Sequence, residues 1–261
     1  MILGAIVGDI IGSYWEFKYE KPMYNFNLFN DESRPTDDSF LTLAFMEMFN
    51  NEKEINHEVA AKYLRKWGNI YPDGAYGCSF SNWLKDENYG PYNSKGNGAA
   101  MRISSVGWVA KSEEEVKKYS RILTEITHNH PFGILYSEVT AMCVFFARIG
   151  KDKKFIKDYV SQYFNVDFNF DDLCKNYDFS ELIEETVPQA IYCFLISDSF
   201  DDCVRKSMMI GGDSDTLSAI SCSIADAFYK KIPEEILSQA LSRLDKNCLN
   251  VVTEFSKKFE K

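Results

Sequence analysis

The chain has 261 residues, 45% hydrophobic and 15% aromatic, which suits one large domain over 1–261 with a substantial buried core. A formal net charge of −10 repels polyanions, so nucleic acid is not expected as the main partner. Seven cysteines without a C-x-x-C pair read as reduced thiols of a cytoplasmic protein, and no stretch approaches the ~18 uncharged apolar residues of a membrane span.

The first element, G-A-I-V-G-D-I-I-G-S-Y-W-E (4–16), is apolar but carries Asp9 and has no basic leader before it, so it does not read as a signal peptide. Gly4, Gly8, Gly12 and Glu16 recur at i, i+4 and fall on one helical face. The glycines suit close helix packing. Glu16 ends the stripe beside Tyr14, Trp15 and Phe17, where a partly desolvated carboxylate can work as an acid or base. Residues 21–30 fit a short extended piece.

At 34–39 the chain reads R-P-T-D-D-S, followed by F-L-T-L-A-F-M-E-M-F. Leu41, Ala44, Phe45 and Met48 share a face that Phe40 and Phe49 widen, so a helix buried on most sides starts here. Pro35, Thr36 and Asp37 are ordinary helix-start residues. One capping side chain would suffice, so the hydroxyl of Thr36 and the carboxylates of Asp37 and Asp38 are a surplus. They serve either as an acidic first turn or as ligands.

The polar stretches near 69–98 and 165–180 read as loops. Pro91-Tyr-Asn-Ser-Lys-Gly-Asn-Gly-Ala-Ala-Met-Arg102 is a glycine-containing loop whose backbone N–H groups could cradle phosphate. It lacks the G-K-[ST] of a Walker A loop and the strand that precedes a dinucleotide fingerprint. Thr127-His-Asn-His-Pro131 holds two of the three histidines, without the cysteines or H-E-x-x-H that zinc would call for. Capping, loop hydrogen bonds or a ligand contact are the readings that remain.

Gly211-Gly-Asp-Ser-Asp-Thr216 is a second helix start, followed by Leu217, Ile220, Ile224 and Phe228 at helical spacing. It repeats the surplus, with Asp213, Asp215 and Thr216. I-P-E-E-I (232–236) starts another helix with Pro near its first position. Leu241, Leu244, Cys248, Val252, Phe255 and Phe259 trace a C-terminal helix or helix pair. No persuasive strand is present, and the expectation is an all-α fold with long functional loops. Were the two acidic helix starts to meet, four carboxylates would repel strongly unless divalent cations lay between them. Hard oxygen donors select Mg²⁺ or Mn²⁺ over Zn²⁺, with Ca²⁺ a weaker fit.

Taken together, the segments 4–16, P-T-D-D-S (35–39), Y-N-S-K-G-N-G-A-A-M-R (92–102), T-H-N-H-P (127–131), V-P-Q-A-I (187–191) and G-G-D-S-D-T (211–216) resemble the ADP-ribosylglycohydrolase family, which includes the dinitrogenase reductase-activating glycohydrolase. The resemblance implies an all-α globule with a centre of two divalent cations, Mg²⁺ or Mn²⁺, in a cleft. Thr36, Asp37, Asp38, Asp213, Asp215 and Thr216 would be the ligands. Glu16 would gate or catalyse, with Asp38 beside it among the carboxylates that stabilise the reacting sugar. Gly96, Asn97 and Gly98 would hold a diphosphate, and His128 would contact the ligand. Two departures stand out. Where many relatives read A-x-x-G-A-I-A-G-A, this chain has Ala219-Ile-Ser-Cys-Ser-Ile-Ala-Asp-Ala227, and Ser214 replaces a common Thr.

The activity this implies is hydrolysis of the bond between ADP-ribose and an acceptor, which would be a modified protein or a small adduct. The alternatives are a two-metal phosphohydrolase of nucleotide diphosphates, which would release AMP, and a catalytically silent ADP-ribose-binding protein.

Overall fold

A computed structural model describes residues 2–18 and 20–260. Fifteen helices follow one another among the described residues: α1 (Gly4–Gly12), α2 (Asp37–Asn51), α3 (His57–Ile70), α4 (Cys78–Lys85), α5 (Gly98–Met101), α6 (Ser104–Val109), α7 (Glu113–Glu125), α8 (Pro131–Arg148), α9 (Lys153–Val160), α10 (Phe170–Asn176), α11 (Ile183–Leu195), α12 (Phe200–Ile210), α13 (Ser214–Tyr229), α14 (Glu234–Leu241) and α15 (Lys246–Phe259). The fold is all-α. Among the described residues its only β pairing is an isolated bridge between Gly96 and Leu182, and no helix is long and apolar enough to cross a membrane.

The apolar spacings explain the layering. Leu41, Phe45 and Met48 of α2 are fully buried, and burial of such side chains stabilises by about 1.5–3 kcal/mol each. Helix α13 lies at the centre and packs against α1, α8, α11 and α12. Its contact with α1 is the closest of these. A methyl group on Gly4, Gly8 or Gly12 would collide with the backbone of Cys222, Ser218 or Asp215, so the stripe is a packing device that tolerates only glycine. Ser218 Oγ donates to Gly8 O at 2.6 Å and Ser214 Oγ to Gly12 O at 3.0 Å, which ties the two helices along their length.

The departure at Asp226 has a local use. Its Oδ2 accepts from the amides of Leu3 at 3.0 Å and Gly4 at 2.9 Å, so it satisfies free N–H groups at the start of α1. A glycine there could not do this.

Several sequence expectations need correction. Helix α1 ends at Gly12, and Glu16 is carried by the turn that follows, off the glycine face. The Ser13 amide closes on Asp9 O and that of Trp15 on Gly12 O, which bends the chain away from the helix axis. Residues 21–30 form turns and coil rather than a strand. The polar stretches read as loops contain α4, which buries Phe80 and Trp83, and α10, whose first turn is capped by Asn169. Two apolar anchors or one good cap suffice for such short helices, and neither stands out against a polar background. Two expectations hold: Pro233 sits next to the first residue of α14, at the capping position, and the C-terminal apolar series forms a helix pair, α14 and α15.

Candidate metal centre and ligand cleft

Seven of the fifteen helices among the described residues start on a side chain that caps its own helix. Asn56, Ser112, His130, Asp152, Asn169, Ser199 and Asp245 each accept from an amide of the first turn. The two acidic helix starts do not. Neither Thr36 at the start of α2 nor Asp213 at the start of α13 makes a side-chain cap bond.

At α2 the cap comes from another helix. Asp9 of α1 accepts from the amides of Thr36 at 2.9 Å and Ser39 at 3.0 Å, from Thr36 Oγ1 at 2.6 Å, and from Ser39 Oγ. Asp37 and Asp38 are thereby released from capping. Sequence reading gave Asp9 no role in the site. The signal was present: one carboxylate inside the apolar run G-A-I-V-G-D-I-I-G needs either donors or a cation.

The two starts meet. Thr216 Oγ1 donates to Asp38 Oδ2 at 3.2 Å, and Thr36 Oγ1 lies 3.4 Å from Asp215 Oδ2. Carboxylate oxygens of Asp9, Asp38 and Asp215 lie within 4.8 Å of one another, as do those of Glu16, Asp213 and Asp215. Asp215 belongs to both groups. Asp37 belongs to neither, yet lines the same cleft. Glu16, brought in by its turn, stands among the carboxylates and not apart from them.

The electrostatics show what this assembly lacks. Burial first, then the charges of Asp215 and Asp9, hold the Asp37 and Asp38 carboxyls well above the usual carboxylate range. Burial, with Asp213 next, does the same to Asp215. Asp9 and Asp213 are raised to about 6 by burial, against the hydrogen bonds they accept. Glu16 is raised to about 9 by burial and by Asp215, Asp9 and Glu181. Asp38 Oδ1 is buried with no hydrogen-bond partner among the described residues. A cluster of oxygen donors with this much unbalanced negative charge fits one or two hard divalent cations. Asp9, Asp38, Asp215, Asp213 and Glu16 are placed to hold them, with Thr36, Asp37 and Thr216 beside them.

The centre opens on a cleft of about 500 Å³, the size of a small-ligand site. Its other wall is the loop before α5. Asn97 turns its side chain inward, donating to Asp213 Oδ2 at 2.7 Å and Thr186 Oγ1 at 3.1 Å. The Gly96 amide donates to Ser94 Oγ at 3.0 Å and that of Asn97 to Glu181 O at 2.8 Å. The Gly98 amide, at the start of α5, makes no hydrogen bond outside that helix among the described residues, which leaves it among the donors of this loop open to a ligand. His128 is buried against Gly96 and Gly98, with its Nε2 turned to them. His130 lies apart and caps α8 through the Phe132 amide at 3.1 Å. Arg102 and Tyr76, given no role by sequence reading, also line the cleft.

Comparison with known proteins agrees with this geometry. The family profile described as ADP-ribosylglycohydrolase matches residues 1–260. ADP-ribosylhydrolase ARH3 of Homo sapiens is 23% identical, over 93% of this chain and 92% of that protein. The ADP-ribosyl-dinitrogen reductase glycohydrolase of Rhodospirillum rubrum is 29% identical, over 59% of this chain and 53% of its own length. A solved structure described as an ADP-ribosylglycohydrolase-related protein complex shares the fold with a TM-score of 0.70 at 18% identity, over 98% of this chain and 94% of that one.

Proposed function

The chain belongs to the ADP-ribosylglycohydrolase family, and on that premise we propose that it releases ADP-ribose from an acceptor by hydrolysing the bond at C1″ of the ribose, with Mg²⁺ or Mn²⁺ in the acidic centre. The observation that carries this reading is one juxtaposition. The shared carboxylate Asp215, the turn-borne Glu16 and the Gly98–His128 wall all line one cleft.

In the reaction a water oxygen bonds to C1″ as the bond from C1″ to the acceptor breaks, and oxocarbenium-like charge develops on the ribose. Bound cations supply Lewis acidity, which orients ribose hydroxyls and makes water more acidic. Asp38, Asp213 and Asp215 hold negative charge beside the sugar. Glu16 moves the proton, to the leaving atom or from the water, from a position that is half-buried and shared with Asp215. The Gly98 amide and His128 hold the diphosphate away from the carboxylates. The partner is an ADP-ribosylated protein or small adduct, and the seven free thiols suit a cytoplasmic site of action.

The test is a panel of ADP-ribosyl adducts, on arginine, serine, nucleobase, phosphate and O-acyl acceptors, incubated with Mg²⁺ or Mn²⁺ and scored for free ADP-ribose. Release that a chelator abolishes is the expected result. AMP release would assign a phosphohydrolase, and binding without turnover of any adduct would assign a silent receptor.

A further inference from the structure

If the cleft is the ADP-ribose site proposed above, three buried residues in and behind its wall, Arg102, Thr127 and His128, set what it offers a phosphate. Arg102 is buried, with its guanidinium 5.8 Å from the Phe45 ring and 5.7 Å from that of Phe80. Its only hydrogen bond among the described residues runs from Nη2 to Thr127 Oγ1, at 2.6 Å. Thr127 Oγ1 in turn lies 2.7 Å from His128 Nδ1.

Donor counting sets the direction of this chain. A guanidinium only donates, so it occupies one lone pair of Oγ1. The one other hydrogen-bond partner of Oγ1 among the described residues is His128 Nδ1, and of the two only Nδ1 can accept. The hydroxyl hydrogen of Thr127 is then left for Nδ1. An accepting Nδ1 carries no hydrogen, so a neutral imidazole carries it on Nε2. Burial and the charge of Arg102 hold the ring neutral. Nε2 faces the loop: a methyl group on Gly96 or Gly98 would stand 3.6 or 3.5 Å from it. The opposite tautomer would set a lone pair against any anionic oxygen bound there.

We propose that Thr127, oriented by Arg102, is a positioning residue that fixes His128 in the Nε2–H tautomer, so that the cleft offers a permanent N–H donor opposite Gly98 to a phosphate oxygen.

The protein has three histidines, so ring ¹H–¹⁵N correlations of the Mg²⁺-loaded full chain are readily assigned. His128 should show the Nε2–H pattern. Thr127→Val keeps the side-chain shape and removes the hydroxyl. It should shift His128 toward the Nδ1–H pattern and weaken ADP-ribose binding about tenfold, as expected for one hydrogen bond to a charged group. Thr127→Ser should restore both. An Nδ1–H pattern in the parent overturns the proposal, and so does a Thr127→Val protein with the parental tautomer and affinity. Should Thr127→Val not fold, the spectra of the parent and Thr127→Ser still decide the assignment. A parent with the Nε2–H pattern but no affinity for ADP-ribose would instead overturn the reading of the cleft.

Discussion

Along α1, three glycines press against α13, and the polar atoms buried there have partners: Ser218 and Ser214 bond to carbonyls of α1, and Asp226 takes two amides at its start. A few residues further on, where α13 begins, polar burial takes the opposite form. Asp38, Asp213 and Asp215 crowd together, and Asp38 Oδ1 has no partner among the described residues. Satisfied polar burial makes a frame. Surplus carboxylates of one sign store repulsion that only a ligand or a proton relieves. The frame should therefore respond to side-chain volume and ignore cations, and the cleft should do the reverse.

The largest effect should come from the cations. A chelator should abolish turnover, and Asp213→Asn and Asp37→Asn should lose or weaken Mg²⁺ binding by calorimetry. Undiminished binding in both would remove the proposed centre. Asp215→Asn, which touches both carboxylate groups, should be the most damaging single change.

Glu16→Gln keeps size and removes the titrating group. Single-turnover rate should fall about 10²–10⁴-fold, the range of a positioned acid or base. Its place among the carboxylates also calls for a smaller loss of cation affinity. Melting temperature should hold, since Gln keeps the shape of a carboxyl that burial and its neighbours already keep protonated near neutral pH. A folded variant with parental rate would take Glu16 out of the mechanism.

The frame is next. Gly8→Ala sets a methyl into the Ser218 backbone and should lower stability by about 1–3 kcal/mol or more, at any cation concentration. Gly77→Ala, where nothing lies near the new methyl, should be neutral. Gly12→Ala sharpens the comparison because its neighbour is the Asp215 backbone: stability and Mg²⁺ affinity should fall together. Equal stability of Gly8→Ala and Gly77→Ala proteins in denaturant would break the distinction.

A pH series separates the regions differently. Asp9 and Asp213 have folded-state values of about 6, above the ~4 of an unfolded carboxyl, so folding takes up protons. In the absence of divalent cations their contribution is fully present below about pH 4 and lost as pH rises through about 6. Saturating Mg²⁺ should flatten that decline and release protons on binding, seen as a buffer-dependent heat. An unchanged pH profile would argue against cations at these residues.

The smallest expected effect is at the loop. Gly98→Ala meets only ordinary contacts, 3.5 Å from His128 Nε2, so folding should be unaffected. The methyl narrows the space before the Gly98 amide and should weaken ADP-ribose binding by about three- to tenfold, a bond's share. The bulkier Gly98→Val should lose more. Cation affinity should stay at the parental level in both.

Much was legible in the chain alone. Periodic apolar residues carry helices α2, α13 and α15 openly, because a buried helical face repeats every three to four residues whatever it packs on. The paired surplus of acids at 36–38 and 213–216, and its preference for hard cations, could also be read, since charge and donor chemistry belong to residue types. Three-dimensional structure decided what depends on partners far away in sequence. It gave the cap of α2 to Asp9, so that Asp37 and Asp38 were released. It moved Glu16 off the glycine face and in among Asp213 and Asp215, because α1 stops at Gly12. It turned the Asn97 amide toward Asp213 and set Gly98 in the lining of the cleft against His128. Such choices follow from hydrogen bonds between segments tens to hundreds of residues apart, and local pattern holds no record of which donor reaches which acceptor first.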